Sequence, residues 1–410
     1  MPDSSRGHRP LSVAGLGCCL IDHMYNNFSY NHPLFQQLLS KSRGDGGIVP
    51  GGLVFAEDIE TFEGHSFPTI LHSLVGLSQP DVSNLGGPSV VALVHCAQVL
   101  AGTGMRVYFH GAVGDDSKGA QIRSFLQRTP LDYALKTFNG QLSPSTVVLS
   151  DPSQHDGKGE RTFINTLGAA AVYGPEDVPE SFYQASIVLC GGTALVPRLH
   201  DQLGAVLRKA KARGCITVVG TVYDFRSEKT HPGTPWPLGD AEAYRSIDIL
   251  ITDAEEALHL TGASTITEAA QDFITYGVGA LFITHGAHEI LVWSRGDLFC
   301  AFPLTPLPVS RYVDELLEQD PSRRKDTTGC GDNFAGGVLA SLCLQLMDNP
   351  EPPVDIREAC AWGAASGGFA CTYHGGTFYE SKLGEKRAAL APIVADYRQQ
   401  VGLTDEGVRV

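Results

Sequence analysis

Long apolar runs are missing from this 410-residue chain. No segment approaches the roughly 18 consecutive apolar residues that a membrane-spanning helix needs, so a membrane role is not expected. Basic clusters are missing too. Lys and Arg number 30 against 45 Asp and Glu, for a formal net charge of −15. No positive stripe is present to neutralise the phosphates of a nucleic acid or an anionic surface. The ten cysteines include no C-x-x-C pair, and the only adjacent two, Cys18 and Cys19, lie in an apolar run. That usage belongs to a reducing, cytoplasmic compartment rather than to a disulfide framework. The fourteen histidines contain no H-x-x-x-H pair, so they define no metal centre. No internal repeat is visible. The stretch "RGHRPLSVAGLGCCLIDH" sets basic residues before an apolar segment, as a secretory leader does. Its apolar run, Leu11 to Ile21, is short and ends in Asp22 and His23 without a clear cleavage site, and no leader is expected.

What is present is a globular chain, 43% hydrophobic, suited to a small-molecule ligand. From about residue 186 short apolar runs alternate with helical spacing. "SIVLCGG", "CITVVGTVYD", "SIDILITD" and "GALFITHG" read as strands, with "HDQLGAVLRKAKARG" and "TITEAAQDFITYG" as helices between them. Near-continuous apolar strands separated by amphipathic helices predict a parallel sheet covered on both faces, a doubly wound α/β core. Leu11 to Ile21 reads as one further strand. Residues 26 to 84 have little periodicity, and short strands of their own are expected there because so long a structureless loop is improbable in a compact domain. Residues 142 to 166 read as strands around the polar turn "DPSQHDGKGER". Gly114, Asp115 and Asp116 read as a structural turn that caps the next helix.

Residues 325–342, "KDTTGCGDNFAGGVLASL", carry the chemistry. A glycine-rich turn entering a helix points several backbone N–H groups one way, with the positive end of the helix dipole behind them, and so suits an anion. Gly329 and Gly331 permit close backbone approach. Asp332 then places a carboxylate beside the anion, which is unfavourable unless its task is to take a proton. Phosphoryl transfer from ATP to a hydroxyl needs both parts, fixed donors for the γ-phosphoryl charge and a proton acceptor for the attacking oxygen. The plainer alternative is that Asp332 only caps the helix.

"DTTGCGDNFAGG" resembles the C-terminal signature of the ribokinase, or PfkB, family of carbohydrate and nucleoside kinases, usually D-T-x-G-A-G-D before a helix; Cys330 is the departure. "SVAGLGCCLID" is similar to the family's opening strand, whose final aspartate binds substrate hydroxyls, here Asp22. "LGGPSVVALVHCAQVLAGTGMRVYFHGAVGDDSKG" resembles the N-terminal signature, in which a Gly-Gly pair, here Gly86 and Gly87, touches the substrate. "GERTFINTLGAAA" resembles the segment leaving the lid. "ITDAEEALHLTG" sits where the family has N-x-x-E, matching Asp253 and Glu256, and "LFITHGAHEILVW" resembles the T-x-G turn beside the nucleotide, matching Thr284 and Gly286. The resemblance covers about residues 11 to 385.

It implies a ribokinase-like α/β fold: a doubly wound, mostly parallel sheet flanked by helices, with a small β-rich lid. One domain would span residues 1–410, its lid formed mainly by about 26–84 with contributions from about 142–166. It further implies an ATP-dependent carbohydrate kinase acting on a hydroxyl, a primary one, of a sugar or sugar derivative. Asp332 would be the general base and the backbone of Gly329, Cys330 and Gly331 the anion hole. Mg²⁺ would be organised through water by Glu256, K⁺ held at Asp326 and Thr328, and a homodimer formed through the lid.

Some residues stay open. The asparagine that the family often has three or four residues after Gly-Gly is replaced by Val90 and Val91, so its substrate contact is absent or supplied elsewhere. Asp253 serves equally as a helix N-cap. Asp224, Arg226 and Trp236 fall where related sugar and sugar-acid kinases carry N-x-R and a tryptophan, and Arg226 could bind an acidic substrate or a nucleotide phosphate, or simply make a surface salt bridge. His285 and His288 flank Gly286, where a nucleotide contact is open. Cys330, a thiol at a helix N-terminus, is a candidate for alkylation. GTP could replace ATP. A nucleoside kinase of the same fold is the rival, with Phe28, Tyr30 or Phe67 as a slot for the base; a catalytically silent binding protein is a third reading, against which the retained Asp332 speaks.

Overall fold

The computed structural model describes residues 11–42, 44–154, 159–240, 242–325 and 327–403. Fourteen strands are found among them: β1 (Ser12–Gly17), β2 (Leu20–Tyr25), β3 (Leu53–Phe55), β4 (Val82–Gly86), β5 (Arg106–Gly114), β6 (Asp132–Phe138), β7 (Ser145–Asp151), β8 (Glu160–Thr166), β9 (Ile187–Gly191), β10 (Ile216–Gly220), β11 (Ile249–Asp253), β12 (Ala280–Thr284), β13 (Ile290–Ser294) and β14 (Phe302–Leu307). Nine form one sheet in the order β14-β13-β12-β11-β10-β9-β1-β5-β6, parallel except for the antiparallel β13 and β14. The strands are continuously apolar because both faces are covered. Val13, Ile187, Leu189, Val218 and Ile249 point into one core, whereas their neighbours Ala14, Val188, Cys190, Val219 and Leu250 point into the other.

The first core is capped by helices Pro88–Val99, Cys330–Asp348 and Ile356–Ala370. Glycine inside the second of these has a steric cause. A Cβ on Gly336 would lie 2.4 Å from the Ala92 carbonyl oxygen, and one on Gly337 would lie 2.5 Å from that of Trp362. The helix therefore touches both neighbours through its backbone.

The other five strands form a smaller sheet, β3-β8-β7-β2-β4. The segment expected as one strand, Leu11 to Ile21, is two: β1 ends at Gly17, and the chain crosses at Cys18 and Cys19 into β2 of the second sheet. Asp22 therefore sits inside β2, not at a strand end. The short strands expected over 26–84 are β3 and the start of β4; the segment also carries three short helices outside that expectation, Pro33–Gln37, Ala56–Glu63 and Phe67–Val75. Their apolar side chains cover one face of the small sheet in a separate core with Val147, Leu149 and Ile164. Strands β7 and β8 fall where strands were expected; part of the turn between them lies outside the described residues.

Candidate active site

The chain order reverses at β1, with β5 and β6 on one side and β9 through β12 on the other. In open α/β sheets, ligands bind in the crevice at the carboxyl ends of the strands beside such a reversal. A cavity of about 200 Å³ lies there, lined by Gly191, Gly220, Asp253, Glu256, Thr284 and Asp332 among others. The loop Thr327 to Gly331 separates it from a second, more apolar cavity of about 370 Å³ that reaches Gly286, Val313 and Phe334.

The loop is shaped by its glycines. Gly329 has φ 76° and precedes helix Cys330–Asp348. A Cβ on it would also lie 2.5 Å from the Cα of Gly376. Around Gly331 the space is open. The Cys330 N–H turns back to the Thr327 carbonyl at 3.2 Å, so the donors the helix offers outward are those of Gly331 and Asp332. Asp332, partly exposed at the helix mouth, is surrounded densely enough that burial pushes its carboxyl up to about 7. Cys330 Sγ lies 3.4 Å from Cys371 Sγ, both half-buried.

Asp253 and Glu256 form a capping box at helix Ala254–Thr261, with the Glu256 N–H donating to Asp253 Oδ1 at 2.8 Å. The capping alternative for Asp253 is thus realised. Glu256 is only 8% exposed and accepts a short hydrogen bond from the Thr221 hydroxyl. Burial, then the charges of Asp253 and Asp332, push its carboxyl upward. A buried Glu256 facing the charges of Asp253 and Asp332 in a cleft suits a hydrated divalent cation, which would relieve the repulsion. Among the described residues no cluster of His, Cys, Asp or Glu is arranged to hold a metal directly.

Gly86 and Gly87 have separate reasons. A Cβ on Gly86 would lie 2.3 Å from Asp22 Oδ2, so this glycine makes room for the aspartate. Gly87 has φ 108° and would strike the Cys18 carbonyl. Asp22 pairs opposite Asn84 in the β2–β4 ladder.

Other expected site residues are not brought to the cavities. Arg226 makes a two-pronged ion pair with Asp201 and lines neither cavity, which realises its salt-bridge alternative. Asp224 caps its own helix through Ser227, and Trp236 is buried flat against His259, ring centroids 4.2 Å apart. Phe28, Tyr30 and Phe67 are buried in the small sheet's helical core and are not available as a slot for a base. Asp116 caps helix Ser117–Leu126, as expected. His285 and His288 are exposed with rings 4.6 Å apart. Thr328 is exposed, and Asp326 lies outside the described residues.

Sequence reasoning missed Asn333. Its Nδ2 donates to the carbonyls of Gly329 at 2.8 Å and Gly376 at 2.9 Å, tying the loop to the segment beside it. Its Oδ1 accepts from His95 Nδ1, Tyr373 and Lys386 Nζ at 2.9, 3.0 and 2.8 Å. Lys386 is 1% exposed, and burial pushes its ammonium well below the usual range. The position after Asp332 in "GDN" was the only available signal; nothing marks Lys386 in the sequence.

The sequence matches the model of the pfkB family of carbohydrate kinases over residues 96–382. The chain belongs to that family and is a sugar-kinase-type phosphotransferase. It is 24% identical over 273 residues to a fructokinase of Vibrio alginolyticus, covering 65% of this chain and 80% of that protein. It is 26% identical over 265 residues to an aminoimidazole riboside kinase of Salmonella typhimurium, covering 62% and 74%. The fold is that of an adenosine kinase from Sinorhizobium meliloti (TM-score 0.65, 18% identity, 93% and 100% covered) and of an Arabidopsis thaliana ribokinase solved with ribose and ATP (TM-score 0.60, 16% identity, 94% and 99% covered). No helix among the described residues is long and apolar enough to cross a membrane.

Proposed function

We propose that the chain transfers the γ-phosphoryl group of ATP to a hydroxyl, a primary one, of a sugar or sugar derivative. The observation that carries this reading is Asp332 at the mouth of helix Cys330–Asp348, beside the outward N–H groups of Gly331 and Asp332, with a proton affinity near neutrality. Asp22 holds the sugar hydroxyls over Gly86. The acceptor hydroxyl gives its proton to Asp332 as its oxygen bonds to the γ-phosphorus, while the bond from that phosphorus to the β–γ bridging oxygen breaks and ADP leaves. The helix amides face the charge that spreads over the transferring group. Mg²⁺, held through water by Glu256, would supply further charge neutralisation on the phosphates. The apolar cavity beyond Thr284 and Gly286 suits the nucleotide base. The small sheet acts as the lid, mainly residues 26–84 with 142–166, and K⁺ at the Thr328 end of the loop and pairing of two copies through the edge strands β3 and β4 complete the reading.

ATP-to-ADP turnover with Mg²⁺, with and without K⁺, against sugars, sugar acids, polyols and nucleosides tests it. Turnover stimulated by one acceptor class and lost in Asp332→Asn is expected. Equal turnover in the variant would remove Asp332 from its role, and nucleotide binding without stimulation by any acceptor would favour a silent binding protein.

Two outcomes follow from the site. The Asp332 carboxyl must be ionised to take a proton, and burial raises its affinity from 3.8 to about 7. The protonated, inactive form therefore prevails below that value, and kcat/KM should fall as pH drops through about 7 in a pH–rate profile. The same shift means that the folded chain keeps a proton that the unfolded chain releases above the ordinary Asp range, so this group lowers stability progressively as pH rises from there to about 7. Second, an alkylating reagent should inactivate the enzyme through Cys330, with bound nucleotide protecting it. Full activity after mass-spectrometric confirmation of modified Cys330 would refute this.

A further inference from the structure

Two sulfur atoms meet at the catalytic loop, and they come from opposite ends of two packed helices. Cys330 opens helix Cys330–Asp348, and Cys371 caps the C-terminus of helix Ile356–Ala370, which packs along it. Their Sγ atoms lie 3.4 Å apart, and both are thiols. Both line the apolar cavity with Gly286 and Phe334, so a small solute reaches them. Place in the fold sets this pair apart. Cys96 and Cys343 also meet, but both are fully buried in the first core.

The two helix ends are not equivalent. An N-terminal end stabilises a thiolate and a C-terminal end opposes one, so Cys330 is the sulfur that attacks an oxidant and Cys371 the one that resolves the product. Cys371 is also the fixed partner. Its N–H donates to the Gly368 carbonyl at 3.1 Å, and its carbonyl accepts from the Lys325 N–H at 2.8 Å. Cys330 belongs to the loop, where the space around Gly331 is open. An S–S bond is roughly 2.05 Å long, so closure draws the two sulfurs together by about 1.4 Å. The loop is the side that gives way.

We propose that Cys330 and Cys371 form a reversible disulfide under peroxide, and that this bond switches the site off by displacing the outward N–H groups of Gly331 and Asp332. The Cys330 thiolate attacks one oxygen of hydrogen peroxide and the O–O bond breaks, which leaves a sulfenic acid. The departing hydroxide takes the proton that Cys330 released and becomes water. The Cys371 sulfur then attacks the Cys330 sulfur, the S–O bond breaks, and the leaving hydroxide takes the Cys371 proton as a second water. Each thiol has given up one electron and one proton, and the peroxide is reduced. A dithiol reductant reverses the bond by two thiol–disulfide exchanges. Disulfides of reducing compartments are mostly of this transient kind. The loss of turnover rests on the kinase reading, whereas the bond itself does not. A nucleotide base in the apolar cavity covers both sulfurs, so bound nucleotide slows closure.

The test treats the full chain, Cys330→Ala and Cys371→Ser with hydrogen peroxide, and compares each with its own reduced form. Peptide mass mapping, ATP turnover and nucleotide affinity by calorimetry are read before and after dithiothreitol. In the wild type a peptide linking Cys330 to Cys371 is expected, with a fall in kcat of about 10-fold or more, as an ångström-scale shift at the reacting centre implies. Dithiothreitol should restore it, and saturating nucleotide should slow the linkage. Cys330→Ala should be insensitive. Cys371→Ser, which lacks the resolving sulfur, should go on to the sulfinic acid and not recover. No linked peptide, or a linked peptide with unchanged turnover, would overturn the switch and leave the kinase reading intact. So would a fall of the same size in Cys330→Ala. A linked peptide that changes nucleotide affinity in a chain turning over no acceptor would uphold the pair and sink the kinase reading.

Discussion

Replacing Asp332 by asparagine will lower kcat by about 100-fold or more, the usual size of general-base catalysis, with little change in nucleotide affinity. The side chain keeps its shape, and the amides of the anion site are backbone groups that the substitution does not touch. Only the capacity to accept a proton is lost. The variant should also lose the acid limb of the pH profile, because burial raises the Asp332 carboxyl itself to about 7. Steady-state turnover with the preferred acceptor, beside nucleotide affinity measured by calorimetry, checks both halves. If kcat holds, the acid is a cap and the attacking hydroxyl loses its proton elsewhere.

Asn333→Ala will destabilise the fold by about 3–5 kcal/mol and reduce turnover together with it. The asparagine amide is the shared partner of Lys386, His95, Tyr373 and the Gly376 carbonyl. Removing it strands several buried polar groups at once, including an ammonium. Asn333→Asp separates the contributions: it keeps an acceptor for Lys386 and loses the donor to Gly376, so it should recover stability more than activity. Chemical denaturation and kcat on the same preparations distinguish these results. Loss below about 1 kcal/mol for the alanine variant would show that the hub is replaced by solvent.

Much of the parallel sheet was legible because strands covered on both faces must be apolar throughout, as "SIVLCGG" and "GALFITHG" are. The break at Cys18 and Cys19 was not legible, since an apolar run does not record which sheet it joins. The helices of 26–84 were obscured for a related reason: they are five to nine residues long and interrupted by glycine turns, too short for a 3.6-residue period to emerge. At the site, motif spacing marked the loop at Gly329 to Asp332 because those residues answer to local backbone geometry. Arg226 could not be placed by local pattern, because its partner Asp201 comes from a distant part of the chain. The pairing of Asp22 with Asn84 depends on register between two strands, and the contact of Cys330 with Cys371 on how two helices pack, which no local pattern specifies.

The glycines at 336 and 337 set a tolerance on the chemistry. They let the helix that carries Asp332 rest backbone to backbone on its neighbours at this level, so no side chain cushions the contact at these two positions. Adding one methyl group at Gly337 would have to push Trp362 or lift the helix, and the helix mouth would move with it. A misplacement of about 1 Å at a reacting group can cost on the order of 100-fold in rate. Two residues that meet no ligand thereby act as the gauge blocks of the reaction, and Gly337→Ala should tell in kcat before it tells in affinity.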